Sequence, residues 1–410
     1  MEAHSDRLGR ARALYAFRSR DFRLLWSART VSLVGDGAFL IALGWRTTTL
    51  TGSATWLAIV LMAHSIALLA TVLIGGALAD RYSRRLLMIS SDLARVVIMG
   101  ALAILDASDQ LSLGLLLALA VGFGLADGFF YPAAGGIVPL VVESHELASA
   151  NTLIGVSRQA SFVIGPALAG SIYGIAGSAA VFGLNAGTFL VSALLLLPAR
   201  PRSFEREPNE GTWRSIVEGV RYVGGVPWLW VGIAVTSVVL MVAMAPFQAL
   251  APTFVSEQFD KGVGAYGLLF AFEAAGMTIG TVAFGQINPR TRRIWQTFGF
   301  LALNDVFAVA MTLQSSYEVA ALLMVARGVL IGYAIGIWAT LMMEWVPEGK
   351  LARVTSLDFF GAIGLVPVGY ALTALVSQTA DASTILTVGF SLAGLLWAVP
   401  LLVRRVRDAA

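Results

Sequence analysis

The sequence predicts an all-α membrane protein of twelve transmembrane helices arranged as two halves of six. Three observations carry that reading. Of 410 residues, 57% are hydrophobic and 13% charged, with a mean hydropathy of +0.78, whereas a soluble domain carries about 25% charged residues. The apolar residues gather in a dozen segments, most of them apolar on every face and none alternating as strands do. Arg and Lys accumulate in alternate connections, as cytoplasmic loops require. At ~20 residues per span, twelve crossings leave no room for a sizeable soluble domain, so function must lie inside the helix bundle.

Taken in order, residues 1–21 are polar and Arg-rich without a small-residue cleavage site after the first apolar run, which predicts an uncleaved cytoplasmic tail. Spans are expected at 22–46, 54–78, 86–106, 111–133, 147–173 and 177–198, the N-terminal half (22–198). A cytoplasmic linker follows at 199–226, with Pro201 and Pro208 and a stretch, Trp213 to Val223, whose Ile216, Val220 and Val223 recur at helical spacing and suit a membrane-surface helix. The C-terminal half (227–403) holds spans at 227–254, 264–287, 294–313, 317–342, 355–377 and 383–403, before a tail at 404–410. Arg81, Arg84 and Arg85, the linker arginines, Arg290 to Arg293, Lys350 with Arg353, and Arg404 to Arg407 lie on the tails' side, while the opposite loops hold only Arg46 and Lys261. The fourth-to-fifth loop offers only Glu143, His145 and Glu146 and is neutral. Both termini are expected in the cytoplasm, and the protein in the cytoplasmic membrane. A shift of 204 residues matches Gly124 and Gly128 with Gly328 and Gly332, a weak sign of duplication.

Composition also excludes. With no cysteine and only His4, His64 and His145, there is no thiolate chemistry and no metal-ligand cluster. The net charge of +3 reflects membrane topology, not nucleic-acid binding. No G-x-x-x-x-G-K-[ST] loop is present, so direct use of ATP is not expected. No cofactor, no metal and no enzymatic activity are expected.

Between the second and third spans stands Gly76-Ala-Leu78-Ala-Asp80-Arg81-Tyr-Ser83-Arg84-Arg85. It resembles the G-x-L-x-D-R-x-G-R-R loop of the major facilitator superfamily, secondary transporters built from two six-helix halves. Ser83 replaces the glycine, so this turn must avoid a conformation that only glycine favours. Gly76 is expected to permit close packing, and Asp80 to meet a helix N-terminus or an Arg when the cytoplasmic side is shut. In the fifth span Gly165-Pro166 and Gly170 look like the antiporter motif of the drug and proton antiporter branch, with one extra residue before the last glycine. Gly364 to Gly369 is a weaker counterpart in the eleventh. Gly35-Asp36-Gly37, Phe130 to Ala133 and Leu147 to Leu153 are similar to the macrolide-efflux and enterobactin-exporter-like branch. The arginine that many drug antiporters carry in the fourth span is missing near Ala120, which puts any relay through it in doubt.

Ionisable residues inside spans each cost ~2.5 to 3.5 kcal/mol at mid-membrane and persist where they face protein or water. They are Asp36, His64, Asp127, Arg158, Glu273, Asp305 and Arg327. Arg29, Asp92, Arg95, Glu344 and Asp358, nearer the cytoplasmic ends, are read as structural bridges or caps. The resemblance implies a cavity lined by the first, fourth, seventh and tenth helices, hence by Asp36, Asp127 and Arg327. Asp36, Glu273 and Asp127 are the proton-coupling candidates. Phe39, Trp45, His64, Arg158, Met241, Met244, Phe247 and Arg327 are the cavity candidates, their aromatic and flexible character suiting amphipathic cargo. The expected function is efflux of an amphipathic, drug-like molecule by proton antiport, in a monomer whose partners are cargo, protons and membrane lipids. Alternatives are a siderophore or lipid exporter of the same fold and, from another class, a non-transporting receptor or scaffold.

Overall fold

The computed structural model describes residues 15–202, 212–287, 289 and 291–407. The tail arginines Arg7, Arg10 and Arg12 and the linker residue Pro208 lie outside the described residues. Those described are helical almost throughout, without a strand. The first half comprises α1 (Arg20–Thr51), α2 (Ala54–Arg81), α3 (Arg84–Ala107), α4 (Leu113–Gly136) and α5 (Leu147–Leu196). After α6 (Thr212–Gly225) come α7 (Pro227–Val239), a π-helical stretch at Leu240–Met244, α8 (Ala245–Phe259), α9 (Val263–Ile287), α10 (Arg293–Thr312), α11 (Tyr317–Trp345), α12 (Glu348–Gly364), α13 (Val366–Val376) and α14 (Ala382–Leu402).

Among the described residues eleven continuous helical stretches are long and apolar enough to span a membrane. The fifth of them runs for 53 residues, too long for one crossing. Gly177 (φ 78, ψ 178) breaks it in two, a conformation open to glycine but not to residues with a Cβ. Twelve crossings result. Two further spans are interrupted: the seventh by the π stretch between α7 and α8, and the eleventh at Leu365, which leaves α-helical geometry just before Pro367. The connections are short and capped. Ser83, Ser112, Ser316 and Asp381 each accept a hydrogen bond from a backbone N–H three residues on, supplying one of the donors a helix start leaves unpaired.

The chain forms two compact units, one gathering α1, most of α2, and α3 to α5, the other residues 52–62 and α6 to α14. In the first, α1 lies along the front of α5 and α3 along its rear, while α2 crosses α4. In the second, α9 crosses α11, and α10 packs between α11 and α14. Both crossings are made by glycine against carbonyl oxygen. A Cβ built on Gly124 would lie 2.3 Å from the His64 oxygen, and one on Gly128 2.0 Å from Thr71 Oγ1 and 2.9 Å from the Leu68 oxygen. The counterparts on Gly328 and Gly332 would lie 2.1 Å from the oxygens of Glu273 and Met277. The glycines matched by the shift of 204 residues therefore have one packing role in both units, and the shift between their partners, His64 with Glu273 and Leu68 with Met277, is constant.

Candidate functional site

Each unit buries one arginine between two phenylalanines, with acids on the neighbouring helices. In the first unit that arginine is Arg95 on α3, 1% exposed. Its guanidinium carbon stands 3.9 Å from the centroid of Phe130 on α4 and 4.5 Å from that of Phe189 on the rear of α5. Arg95 Nη2 is 2.9 Å from Asp92 Oδ1, one helical turn back, and Nη1 is 3.4 Å from Asp127 Oδ1 on α4. Ser192 Oγ donates to Asp92 Oδ2 at 2.7 Å, and His64 Nε2 on α2 lies 3.3 Å from Asp127 Oδ2. The His64 ring stacks on Phe123 at 5.7 Å, and Phe123 meets Phe39 at 4.8 Å.

Asp36 on α1 belongs to the same electrostatic group, within reach of Arg95, Asp127 and Asp92. The glycines flanking it explain how it is held. A Cβ at Gly35 would overlap Asn185 and Thr188, and one at Gly37 would meet the Ser161 carbonyl oxygen at 3.1 Å and Gly165 and Pro166 at 3.3 Å. The Gly165-Pro166 pair thus marks where α5 crosses α1 beside Asp36, and Gly170 is buried further along α5. Asp36 Oδ1 is enclosed with no hydrogen-bond partner. Two carboxylates contact the guanidinium and a third, Asp36, lies within reach of its charge, so among these described groups two negative charges stay uncancelled when all three are ionised and His64 is neutral.

The second unit repeats the plan with the roles exchanged between helices. Arg327 on α11 lies between Phe247 (5.2 Å) on α8 and Phe390 (4.8 Å) on α14. Its Nη1 is 3.5 Å from Glu273 Oε1 on α9, and its Nε donates to Asn304 Oδ1 on α10 at 2.9 Å. Asn304 in turn donates to Asp305 Oδ1 at 3.1 Å. Here one carboxylate contacts the guanidinium and a second, Asp305, is linked to it through Asn304.

Of the residues singled out by sequence, the structure brings together Asp36, Asp127 and His64 in one unit and Glu273, Arg327 and Phe247 in the other. Phe39 is 5% exposed and packed among the rings of Phe123 and Phe182. Trp45 is half-buried near the end of α1, and Met241 and Met244 are half-buried on the π stretch, which Gly369 and Gly389 approach closely from α13 and α14. Arg158 is exposed on α5 and, among the described residues, pairs with none of the three candidate acids. Arg95 and Asp92 do form the structural bridge expected of them. Sequence reasoning missed that the same arginine also holds Asp127.

The loop between α2 and α3 needs one correction. Among the described residues a Cβ at Gly76 would meet nothing within 4 Å, so within its own unit Gly76 makes no close contact. The packing glycine is its neighbour Gly75, whose Cβ would lie 2.3 Å from the Gly128 oxygen. Leu78 and Arg81 fall in the last turns of α2, and the side chain of Asp80 lies outside the described set. Ser83 adopts φ −60, a conformation any residue takes, as its substitution for glycine requires. Arg84 Nη1 donates to the Gly136 oxygen at 2.5 Å and Arg85 Nε to that of Leu196 at 2.9 Å, so both cap carbonyls at helix C-termini.

Comparison with known proteins fits this architecture. The family model described as Major Facilitator Superfamily matches residues 25–365. The chain is 26% identical over 389 residues, 90% of either chain, to a protein named enterobactin exporter EntS from Escherichia coli O1:K1 / APEC. It superposes on the crystal structure of a bacterial homologue of the iron transporter ferroportin in an inward-facing state with a TM-score of 0.71, 16% identity, and coverage of 93% of this chain and 98% of that one. For the nucleoside transporter NupG the TM-score is 0.73 at 12% identity, over 92% and 98% of the two chains.

Proposed function

From the premise that the chain belongs to the major facilitator superfamily, and is a multi-pass membrane transporter and no enzyme, we propose that it exports an amphipathic small molecule from the cell in exchange for protons. The observation that carries the proton coupling is that, in the buried group around Arg95 and in that around Arg327, the carboxylates outnumber the arginine. Uncancelled charge in a membrane interior is costly, and binding protons is the simplest way to remove it. Asp36, with its enclosed and unpartnered oxygen, is the foremost exchange site. Glu273, held at 3.5 Å by Arg327, is the second, and Asp127 is shared by Arg95 and His64. Arg95 and Asp92 act as the fixed frame of the first group. Because each group lies wholly within one unit, it can change protonation without depending on contacts across the halves, and alternating access supplies the exposure to either side.

For the cargo, the relative named enterobactin exporter favours a siderophore over the drug-like molecule that the sequence put first. Met241, Met244 and Phe247, beside the π stretch, are proposed to contact it, a kind of surface that tolerates irregular shapes. The protein is proposed to lie in the cytoplasmic membrane with both termini inside, as a monomer of two six-helix halves joined by the 199–226 linker. Reporter fusions after Arg407 and within residues 106–110 should report opposite sides. A panel of catecholate siderophores and amphipathic drugs offered to proteoliposomes, with and without an imposed pH gradient, tests the function. Gradient-driven movement of a member supports it. Flux of every moved cargo that ignores the gradient would refute the coupling.

A further inference from the structure

The linker helix α6 and the start of α12 enclose a pocket of about 250 Å³, lined by Glu218, Gly219, Arg221, Tyr222, Lys350 and Arg353. Three cations meet a single carboxylate in that lining, and the carboxylate is already engaged: Arg353 Nη1 lies 2.9 Å from Glu218 Oε2. Lys350 Nζ stands 4.4 Å over the Tyr222 ring, a contact that orients the ammonium group without neutralising it. Among the described lining residues there is no second carboxylate to cancel the charges of Arg221 and Lys350. Gly219 lets α6 press against α12, since a Cβ there would lie 3.1 Å from Leu357 Cδ1 and 3.5 Å from Arg353 Cβ. The pocket is built by tertiary packing, not by one helix surface.

Its surroundings indicate what enters. On α6 next to it, Val217 and Val220 are 37% and 54% exposed, an apolar edge that water would leave unsatisfied. Trp230, 47% exposed, stands in the first turn of α7 and Trp345 ends α11, and tryptophans at span ends mark the headgroup level of a bilayer. A cationic pocket with an apolar edge at that level matches a phosphate ester carried on acyl chains.

We propose that this pocket binds the phosphate of an anionic phospholipid, with Arg221 and Lys350 on the phosphate and Val217 and Val220 beside the acyl chains. The proposal rests on the membrane fold alone and stands apart from the cargo and the coupling ion. Its test is native mass spectrometry of the purified full-length protein with phosphatidylglycerol or phosphatidylcholine added, glycerol 3-phosphate serving as competitor. The expected result is retention of phosphatidylglycerol over phosphatidylcholine, reduced roughly tenfold or more in the Arg221→Gln/Lys350→Gln variant and restored in Arg221→Lys/Lys350→Arg. Equal retention of the two lipids by the unaltered protein overturns it without any variant. So does undiminished retention in the glutamine variant, or full displacement by millimolar glycerol 3-phosphate, which would make the ligand a soluble phosphate.

Discussion

Replacing Arg95 by methionine removes the charge at the centre of the first unit while keeping most of the volume of its stem. The side chain is 1% exposed and has carboxylates at 2.9 and 3.4 Å and ring centroids at 3.9 and 4.5 Å. Without it, Asp92, itself fully buried, keeps only the hydrogen bond from Ser192. Removing one partner of a buried pair costs about 3 to 5 kcal/mol, and loss of the ring contacts adds about 0.5 to 1 kcal/mol or more. Together these correspond to at least roughly a hundredfold fall in the ratio of folded to unfolded protein. Because membrane proteins of this size unfold irreversibly, the measurement is the half-life of monodisperse protein in detergent on heating. The Asp92→Asn/Arg95→Met double variant should outlast the Arg95→Met single variant, since it strands one carboxylate fewer, the fully buried Asp92. If the double variant lasts no longer than the Arg95→Met single variant, or if the single variant lasts as long as the unaltered protein, the account of Arg95 is refuted.

Two further expectations test packing and gating. Gly328→Leu should abolish accumulation of folded protein, because its Cβ would lie 2.1 Å from the Glu273 oxygen, whereas Gly76→Ala, with nothing within 4 Å, should be neutral or stabilise by about 0.5 to 1 kcal/mol; expression followed by size-exclusion chromatography distinguishes them. Asp80→Asn should slow flux while leaving cargo binding intact, since the proposed contact of Asp80 belongs to a cytoplasmic latch worth roughly 0.3 to 2 kcal/mol; unchanged flux at equal expression would count against the latch.

The spans were readable because a membrane crossing demands a long apolar run bounded by arginines, a pattern that the core of a soluble protein does not require. The break at Gly177 was placed by the same reasoning between the fifth and sixth. What sequence could not supply was partnership. Asp127 and Arg95 are 32 positions apart and meet only because α3 packs on α4, and Glu273 finds Arg327 only because Gly276 and Gly328 bring α9 and α11 together. The same limit explains Gly76: adjacent glycines in a helix point about 100° apart, so a linear motif cannot say which of Gly75 and Gly76 faces α4. The offset of 204 residues was near the noise in a chain rich in glycine and alanine, and became informative once both glycine pairs were found against carbonyl oxygens.

The central claim is that embedded carboxylates couple export to protons, and replacing the acid by its amide tests it most directly. One proton moving inward carries about 2.3 kcal/mol per 100 mV, or roughly fifty-fold in gradient for a neutral cargo. Uphill accumulation of a transported siderophore or drug is measured in proteoliposomes under an imposed pH gradient, for Asp36→Asn, Glu273→Gln and Asp127→Asn. Asp36→Asn is expected to lose accumulation while retaining downhill exchange, because the amide resembles the protonated acid, and Glu273→Gln is expected to show the next largest loss. If all three amide variants still drive uphill efflux from the pH gradient, coupling through these carboxylates is contradicted.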